Sequence, residues 1–339
     1  MENFLKITFV KGLQNVVLKE IYNYKKLQVI EKHEDFIYLT GDADLDLVKS
    51  LRSISNAYIV SRGAKLNPLY ISNHKSILGE MVGYVLHYSA EKFKTFRLSC
   101  AGEQSKEVSE IKKYIKDVYE LSENILADLD IYIGKSNVWE VGVRVSKRPL
   151  TLRDYKEENI KGGMNASIAY AMNSFCDLLR SRTYLNIFSG SGTLLVEAGI
   201  ENQKLKLVGF DIDGKTNALA AKNIKNAGLI KNIKLVKADI FQNPDLGNFD
   251  VIASDLPFGM HILKGENLEK LYSYLVKYCE QKLNKGGVLA LYTTEHQILE
   301  QIIRKSNFKI KQTLSLEVPT SVKSYIYPKI FICSFASSN

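Results

Sequence analysis

The sequence is poor in cysteine and has no long apolar run. Cys100, Cys176, Cys279 and Cys333 lie far apart and form no Cys-x-x-Cys pair, which argues against zinc-ribbon, iron–sulfur and disulfide-framework proteins. The chain begins directly in an alternating apolar pattern without a signal-peptide core, and no apolar run is long enough to span a bilayer. We therefore expect no metal, no membrane partner and a reducing, cytoplasmic setting.

Candidate nucleophiles and metal ligands are also scarce. Cys279 falls inside an amphipathic helix pattern, so a cysteine-dependent pyrimidine-C5 methylation is disfavoured. The 5 His residues show no ligand spacing. His261 is a candidate for a substrate mouth, although a loop histidine is the favoured interpretation.

Positive charge is what the sequence has in excess. The formal net charge is +9 and the pI is about 9.1, which favours a polyanionic partner such as nucleic acid. The 339 residues are 45% hydrophobic and 24% charged, as in soluble globular proteins, and the length predicts two or three domains.

The chain changes character near residue 150. Before it, strand-like and helical patterns mix without a steady rhythm, which predicts an α+β region. The strands predicted there are 5–10, 36–39, 93–100 and 139–145, and 107–121 is predicted to be a helix. After a basic segment, 146–163, strands and helices alternate as in a parallel sheet with helices on both faces. The strands predicted there are 184–188, 206–210, 233–236, 250–254 and 288–293. The predicted helices are 193–200, 215–227 and 268–283. A closing pair of strands is predicted at 308–316 and 329–335.

Ligands of such sheets bind outside the carboxyl ends of the strands, so these ends form the candidate site. After the first strand, Phe188-Ser-Gly-Ser-Gly-Thr193 places glycines before a helix, where backbone amides approach a ligand; a tight turn without a ligand is the alternative. Leu195 stands where a nicotinamide fingerprint requires a third glycine, which disfavours a dehydrogenase.

Acidic residues end the next two strands. Asp211 is placed to bind the hydroxyls of a ribose, while Asp213 fits better as the cap of the following helix. Asp239 is placed to accept a hydrogen bond from an adenine amine, and Ile240 to pack on the adenine ring; a plain loop aspartate is the alternative.

The fourth strand ends in Asp255-Leu-Pro-Phe258, the most specific signal in the chain. Pro257 fixes its own φ and restricts Leu256 to extended geometry, so this backbone is stiff and able to aim a carboxylate and carbonyl oxygens at one point. Phe258 offers a flat face for a nucleobase; a buried aromatic beside an ordinary turn is the alternative.

Together these strand ends resemble those of class I S-adenosylmethionine methyltransferases that modify exocyclic base amines, whose usual last motif is Asn/Asp-Pro-Pro-Tyr/Phe. More narrowly, the chain resembles the THUMP-containing RNA guanine-N2 methyltransferases over nearly its whole length. The resemblance implies a Rossmann-like catalytic domain with a mixed seven-stranded sheet and an N-terminal α+β region. It implies domains at 1–60 (ferredoxin-like), 61–155 (THUMP-like, RNA-binding) and 156–339 (methyltransferase).

The resemblance also implies the cofactor, S-adenosyl-L-methionine, and the site residues. The catalytic residues would be Asp255, Leu256, Pro257 and Phe258, with one amine hydrogen accepted by Asp255 and the other by the carbonyl of Leu256 or Pro257. The cofactor-binding residues would be Ser167, Asn186, Phe188, Ser189, Gly190, Gly192, Thr193, Asp211, Ile212, Asp239, Ile240 and Asp255. The RNA-binding residues would be Lys147, Arg148, Arg153 and Lys156, with a solvated charged face as the alternative.

Two residues depart from the family pattern. Asn186 stands where the family usually has aspartate, which puts one contact near the methionine end of the cofactor in question. Leu256 replaces the commoner proline, and Leu-Pro-Phe-Gly recurs in the branch acting on tRNA, so we predict tRNA guanine-N2 methylation. The alternatives are a ribosomal-RNA guanine-N2 or a DNA adenine-N6 methyltransferase, or a non-catalytic RNA-binding protein.

Overall fold

The structure, a computed structural model, describes residues 4–40, 44–67, 69–135, 137–157, 163–258, 266–321 and 324–336. The chain divides into two compact units. The first comprises Met1–Phe9 and Val17–Leu152, and the second Val10–Val16 and Arg153–Asn339. The change in sequence character near residue 150 therefore coincides with the boundary between the units. Within the described residues, no helix has the length and apolar character needed to cross a membrane.

The first unit is built on one eight-stranded sheet. Its strands are β1 (Phe4–Thr8), β2 (Gln28–Lys32), β3 (Phe36–Thr40), β4 (Asn56–Arg62), β5 (Thr95–Cys100), β6 (Ser122–Glu123), β7 (Leu129–Lys135) and β8 (Trp139–Arg144). Its helices are α1 (Gln14–Tyr22), α2 (Leu45–Ser50), α3 (Ile71–Tyr88) and α4 (Lys106–Tyr119), with a short 3₁₀ helix at Ala64–Leu66. The strand order is β2-β3-β1-β4-β8-β7-β5-β6.

Local patterning explains these elements. In β1, Leu5 and Ile7 are buried on one face of the pleat, as its alternation predicts. In α4, the Ser105 hydroxyl caps the helix by accepting from the N–H of Val108, and Ile111 and Ile115 continue the buried face. The predicted division at residues 60 and 61 falls inside β4, which pairs with both β1 and β8. One sheet therefore spans the two predicted N-terminal domains, whose separate identities stay a prediction.

The second unit is the predicted α/β unit. Its strands are β9 (Thr183–Ile187), β10 (Lys206–Asp211), β11 (Ile233–Lys237), β12 (Phe249–Asp255), β13 (Leu283–Thr293), β14 (Phe308–Ser315), β15 (Val318–Ser321), β16 (Ser324–Ile326) and β17 (Lys329–Phe335). Its helices are α5 (Ala166–Asn173), α6 (Thr193–Glu201), α7 (Gly214–Asn226), α8 (Glu266–Lys282) and α9 (His296–Arg304), with a 3₁₀ helix at Ile240–Gln242.

The main sheet of the second unit has the order β11-β10-β9-β12-β13-β17-β14. The strands from β11 to β13 are parallel, and β17 runs antiparallel to both of its neighbours. This confirms the prediction of a mixed seven-stranded, Rossmann-like methyltransferase sheet, including its closing pair. The chain passes outward from β9 to β11 and then returns to β12 on the other side of β9, which makes β9/β12 the topological switch point where ligands bind.

Candidate functional site

A cleft opens at the carboxyl edge of the second unit's sheet, at this switch point. The cavity in this cleft has a volume of about 130 Å³. The residues that line it are Gly163, Met164, Asn186, Phe188, Ser189, Gly190, Ser191, Thr193, Leu194, Thr216 and Asp255. Six predicted site residues are thus brought together here: Asn186, Phe188, Ser189, Gly190, Thr193 and Asp255.

The turn after β9 forms one wall of the cleft. Phe188, Gly190 and Gly192 all have left-handed backbones, with φ of 54°, 51° and 78°. This conformation is unusual for phenylalanine and is evidence of a backbone held in place by its surroundings. Gly192 is the N-cap of α6 and gives the helix no side-chain cap, so the first amides of α6 are available to a ligand.

Asp211, at the end of β10, is tied to this turn. One of its carboxylate oxygens accepts from the N–H of Gly190 at 3.0 Å and the other from the N–H of Asp213 at 3.0 Å. Each carboxylate oxygen retains a further acceptor site. Asp213 caps α7 by accepting from the N–H groups of Lys215 and Thr216, as the sequence indicated.

The residues predicted for the adenine lie at the neighbouring strand ends rather than on the cleft wall just described. Asp239 caps the 3₁₀ helix by accepting from the N–H of Phe241 at 3.0 Å. Ile212 is 60% exposed, whereas Ile240 is only 2% exposed and packs in the core. Ile212 therefore has more surface to offer an adenine ring than Ile240, and the adenine contacts stay a prediction.

Asn186 places an acceptor in the cleft. Its side-chain amide donates to the carbonyls of Ile187 at 3.2 Å and Ala253 at 3.0 Å, which joins β9 to β12. Its Oδ1 is buried and has no partner among the described residues. An asparagine side chain can donate both of its amide hydrogens to backbone carbonyls and still present its own carbonyl oxygen as an acceptor. The departure from the family's aspartate thus leaves an acceptor at this position.

Asp255, the last residue of β12, lines the cleft, and its pKa is strongly raised. Its Oδ1 is buried without a partner among the described residues, and burial raises the pKa of this carboxyl to about 7. The Ser189 hydroxyl oxygen of the same cleft is likewise unpaired. An unpaired buried polar atom costs roughly 1–3 kcal/mol. Three such atoms around one cleft, counting Asn186 Oδ1, indicate that it is built for a polar ligand.

The segment after Asp255 is divided between the core and the cleft edge. The Leu256 side chain is 1% exposed and packs in the core, and its N–H donates to the carbonyl of Tyr292 at 2.9 Å. The Pro257 carbonyl accepts from the hydroxyl of Tyr272 at 2.8 Å. The Phe258 ring is partly exposed and meets Tyr292 edge-on, with centroids 6.0 Å apart. Gly259 and His261 lie outside the described residues.

Ser167, which the resemblance implies as a cofactor-binding residue, lies in α5. Ser167 is fully buried in its first turn, where its N–H donates to the Asn165 side chain at 2.8 Å. Gly163 and Met164, just before the helix, reach the cleft wall instead. Thr216 also lines it, from the first turn of α7, where it bonds to Asp213. Sequence reasoning missed these three residues because no motif marks them.

Arg153 and Lys156, two of the four predicted RNA contacts, are bonded within the second unit. The Arg153 guanidinium pairs with Glu197, which is buried in α6, at 3.1 Å. The Lys156 ammonium donates to the carbonyl of Met164 at 2.9 Å, and burial lowers its pKa. Both side chains therefore make their contacts inside the second unit.

Lys147 and Arg148, the other two predicted RNA contacts, belong to the first unit. The backbone of Lys147 is held by the Glu91 carboxylate and the Arg144 guanidinium, which bind its N–H and its carbonyl. Its side chain is partly exposed and that of Arg148 is exposed. These two cations therefore remain the better candidates for contact with phosphates. The described residues contain no group of side chains able to hold a metal ion.

Comparison with known proteins identifies a family whose conserved domain includes the residues of this cleft. A family model described as UPF0020, RMKL-like, methyltransferase domain, matches residues 153–324, which is half of the chain. A protein of Bos taurus named U6 snRNA (guanine-N(2))-methyltransferase THUMPD2 is 30% identical over 170 residues, 50% of this chain and 32% of that protein. A protein of Methanothermobacter thermautotrophicus named tRNA (guanine(10)-N2)-dimethyltransferase is 26% identical over 166 residues, 49% of this chain and 48% of that one. The matches thus span less than half the length of these two relatives.

Solved structures resemble the fold over a greater length. TrmN from Thermus thermophilus has a TM-score of 0.79 at 18% sequence identity, covering 99% of this chain and 100% of that one. A possible methylase from Clostridium difficile has a TM-score of 0.71 at 17% identity, with 100% of both chains covered. At these identities the likeness concerns the fold alone.

Proposed function

The chain belongs to the RMKL-like methyltransferase-domain family, and from that premise we propose that it transfers a methyl group from S-adenosylmethionine to the exocyclic N2 of a guanosine in RNA. The observation that carries the proposal is that one cleft brings together Asp255, whose Oδ1 is buried without a partner among the described residues, the acceptor Asn186 and the amide-rich turn after β9. The reaction requires acceptors that hold the guanine amine and, next to them, donors that bind the carboxylate of the cofactor.

The residues of the cleft fit this cofactor. Bound there, S-adenosylmethionine supplies an electrophilic methyl group on a sulfonium. The unpaired Oδ1 of Asn186 is an acceptor for the ammonium of the methionine part, and the amides at the start of α6 are donors for its carboxylate. Asp211 retains lone pairs for the ribose hydroxyls. The ammonium, the carboxylate and the ribose of the cofactor thus each have a complementary group in this chain.

The base is held by the segment after β12. Asp255 Oδ1 accepts one hydrogen of the guanine amine. Because the Pro257 carbonyl already accepts from Tyr272, the carbonyl of Leu256 is the better acceptor for the second hydrogen. With both hydrogens held, the nitrogen lone pair is directed at the methyl group, and positioning supplies most of the rate gain. Phe258 stacks on the base, a contact worth roughly 1–3 kcal/mol. A guanosine in a helical stem must first be flipped out.

Asp255 also has a role after the new N–C bond forms. The methylated nitrogen then carries an extra proton, and the nearby Oδ1 is the group that accepts it. A carboxyl whose pKa burial raises to about 7 is closer to the working pH of a general base than an exposed aspartate is.

The RNA is proposed to be tRNA, through the names of several relatives; the bovine relative is named for U6 snRNA instead. Residues 61–155 are proposed to act as a THUMP-like RNA-binding region, preceded by a ferredoxin-like segment at 1–60. Lys147 and Arg148 are the proposed phosphate contacts. Binding of this kind weakens steeply as salt rises, since each neutralised phosphate releases counterions.

The experiment compares Asp255→Ala with Asp245→Ala. Asp245 is an exposed aspartate of the same unit that pairs with Lys282 and lines no part of the cleft. Both proteins are titrated with S-adenosylmethionine by calorimetry and assayed for methyl transfer to unmodified tRNA and U6 snRNA transcripts. Asp255→Ala should bind the cofactor and lose turnover, and Asp245→Ala should retain both. Full turnover by Asp255→Ala would refute the role of Asp255.

A further inference from the structure

We propose that Tyr272 is a positioning residue: a hydrogen-bond chain from Glu295 through Thr293 and Tyr272 fixes the Pro257 carbonyl and thereby the direction of the neighbouring Leu256 carbonyl. The inference rests on the proposed function, since it assigns a role in the same reaction. Tyr272 lies in α8, 15 residues from Pro257, and no motif in the sequence marks it.

The contacts of the chain are short, and the two side chains that link it are buried. The Tyr272 hydroxyl lies 2.8 Å from the Pro257 carbonyl oxygen and 2.7 Å from Thr293 Oγ1. The N–H of Glu295 lies 3.0 Å from the same Thr293 oxygen. Both Tyr272 and Thr293 are 0% exposed. The two side chains are therefore shielded from water, and losing the bond between them leaves a buried hydroxyl unpaired.

The donors and acceptors can be arranged in only one order that makes all three bonds. The Pro257 oxygen only accepts, so the single hydroxyl hydrogen of Tyr272 must point to it. The hydroxyl of Thr293 must then donate to Tyr272, and the N–H of Glu295 to Thr293. Each hydroxyl accepts once and donates once, which makes the chain mutually reinforcing. Burial raises the pKa of Tyr272, so the phenol stays a neutral donor at any assay pH near neutrality.

The consequence for the reacting base follows from peptide geometry. The Leu256 carbonyl belongs to the peptide between Leu256 and Pro257. The peptide before it is held by the bond from the Leu256 N–H to Tyr292, and the peptide after it by Tyr272. Because peptides are planar and the ring of Pro257 locks its φ, fixing both neighbours leaves the Leu256 carbonyl little freedom. Tyr272 thus aims the acceptor proposed for the second amine hydrogen.

The chain offers a matched control in the same helix. Tyr278 also lies in α8, is 1% exposed, and donates its hydroxyl to a proline carbonyl, that of Pro244, at 2.9 Å. Tyr278→Phe and Tyr272→Phe remove the same kind of bond from the same helix. A purely structural role predicts equal effects of the two changes on stability and on turnover.

The test measures kcat, KM for S-adenosylmethionine and Tm for both variants, on whichever of the tRNA and U6 transcripts the wild type methylates. We expect Tyr272→Phe to lower kcat by about 10- to 100-fold, as misplaced reacting groups do, with KM for the cofactor unchanged. Tyr278→Phe should lower Tm comparably and leave kcat within about 2-fold of the wild type, because it touches nothing in the cleft. Equal kcat in the two variants would overturn the inference and leave the proposed function intact.

A second pair of variants keeps the inference testable if Tyr272→Phe does not fold. Thr293→Val removes the hydroxyl that donates to Tyr272 and keeps the shape, so kcat should fall by roughly 3- to 10-fold, the value of one neutral hydrogen bond. Thr293→Ser keeps the hydroxyl and should recover most of the loss. Thr293→Val with wild-type kcat would overturn the inference. A wild type that methylates no RNA would overturn the proposed function and this inference together.

Discussion

Replacing Asp255 by Asn should stabilise the cofactor-free protein, and the gain should depend on pH. Oδ1 of the wild-type carboxyl is buried without a partner among the described residues, and burial raises the pKa of the group from 3.8 to about 7. Well below pH 4 the group is protonated in both the folded and the unfolded chain, so its ionisation does not affect stability. As the pH rises the unfolded chain ionises first, so stability falls progressively until the folded group ionises near pH 7. Above that the cost is constant.

The size of the effect follows from the same pKa. Each pH unit between the two pKa values is worth about 1.36 kcal/mol, so the wild type forfeits at most roughly 4 kcal/mol by pH 8. Asn cannot ionise, and any cost of its unpaired amide is the same at every pH. The difference in stability between Asp255→Asn and the wild type should therefore grow by about 2–4 kcal/mol between pH 4 and pH 8.

Calorimetric unfolding of the two cofactor-free proteins at several pH values measures this difference. For a unit of this size, 1 kcal/mol corresponds to roughly 2–4 °C in Tm, so the gap in Tm should widen by about 5–15 °C over the range. Asp213→Asn is the control: the pKa of this exposed helix cap is lowered by bonds to Thr216 and Lys215, so its loss should not stabilise the protein at high pH. A gap between Asp255→Asn and wild type that does not change with pH would refute the reasoning.

Three further predictions follow from the cleft. The rate constant kcat should rise with pH through about 7, because Asp255 accepts the amine hydrogen best when ionised; a flat profile would contradict this. Lys156→Met should raise the Kd for S-adenosylmethionine by about 10-fold without changing the affinity for RNA. Lys147→Met should weaken RNA binding alone. Calorimetry measures the affinity for the cofactor and filter binding the affinity for RNA. Gly192→Ala should cost about 1–2 kcal/mol of stability in urea unfolding, because its φ is 78° and its new Cβ would lie 3.3 Å from that of Ala220; an unchanged midpoint would be the opposite outcome.

The strand ends of the catalytic unit could be predicted because the information for them is local. An apolar run followed by glycines or an acid marks where a parallel strand stops, and parallel strands bring their carboxyl ends to one edge. Asn186, Ser189 and Asp255 were therefore expected in one place, and they line one cleft. The same rule named Asp213 as the cap of α7, as the structure shows, and Asp211 as a ribose ligand, which stays a prediction.

What could not be predicted depends on contacts distant in the chain. Arg153 and Lys156 look like solvent-facing cations in the sequence, but a buried carboxylate in α6 and a backbone carbonyl turn them inward. Tyr272 reaches Pro257 only because α8 packs beside the loop after β12. The eight-stranded sheet of the first unit likewise joins segments that the sequence suggested as two domains, since pairing between β4 and β8 spans about half of that unit.

The most direct test of the central claim is to identify the methylated nucleoside. Purified protein is incubated with deuterium-labelled S-adenosylmethionine and unmodified tRNA or U6 snRNA transcripts, and the RNA is digested and analysed by mass spectrometry. The proposed function predicts labelled N2-methylguanosine with the wild type and none with Asp255→Ala. Labelled N6-methyladenosine in place of N2-methylguanosine, or no label in either RNA, would contradict it.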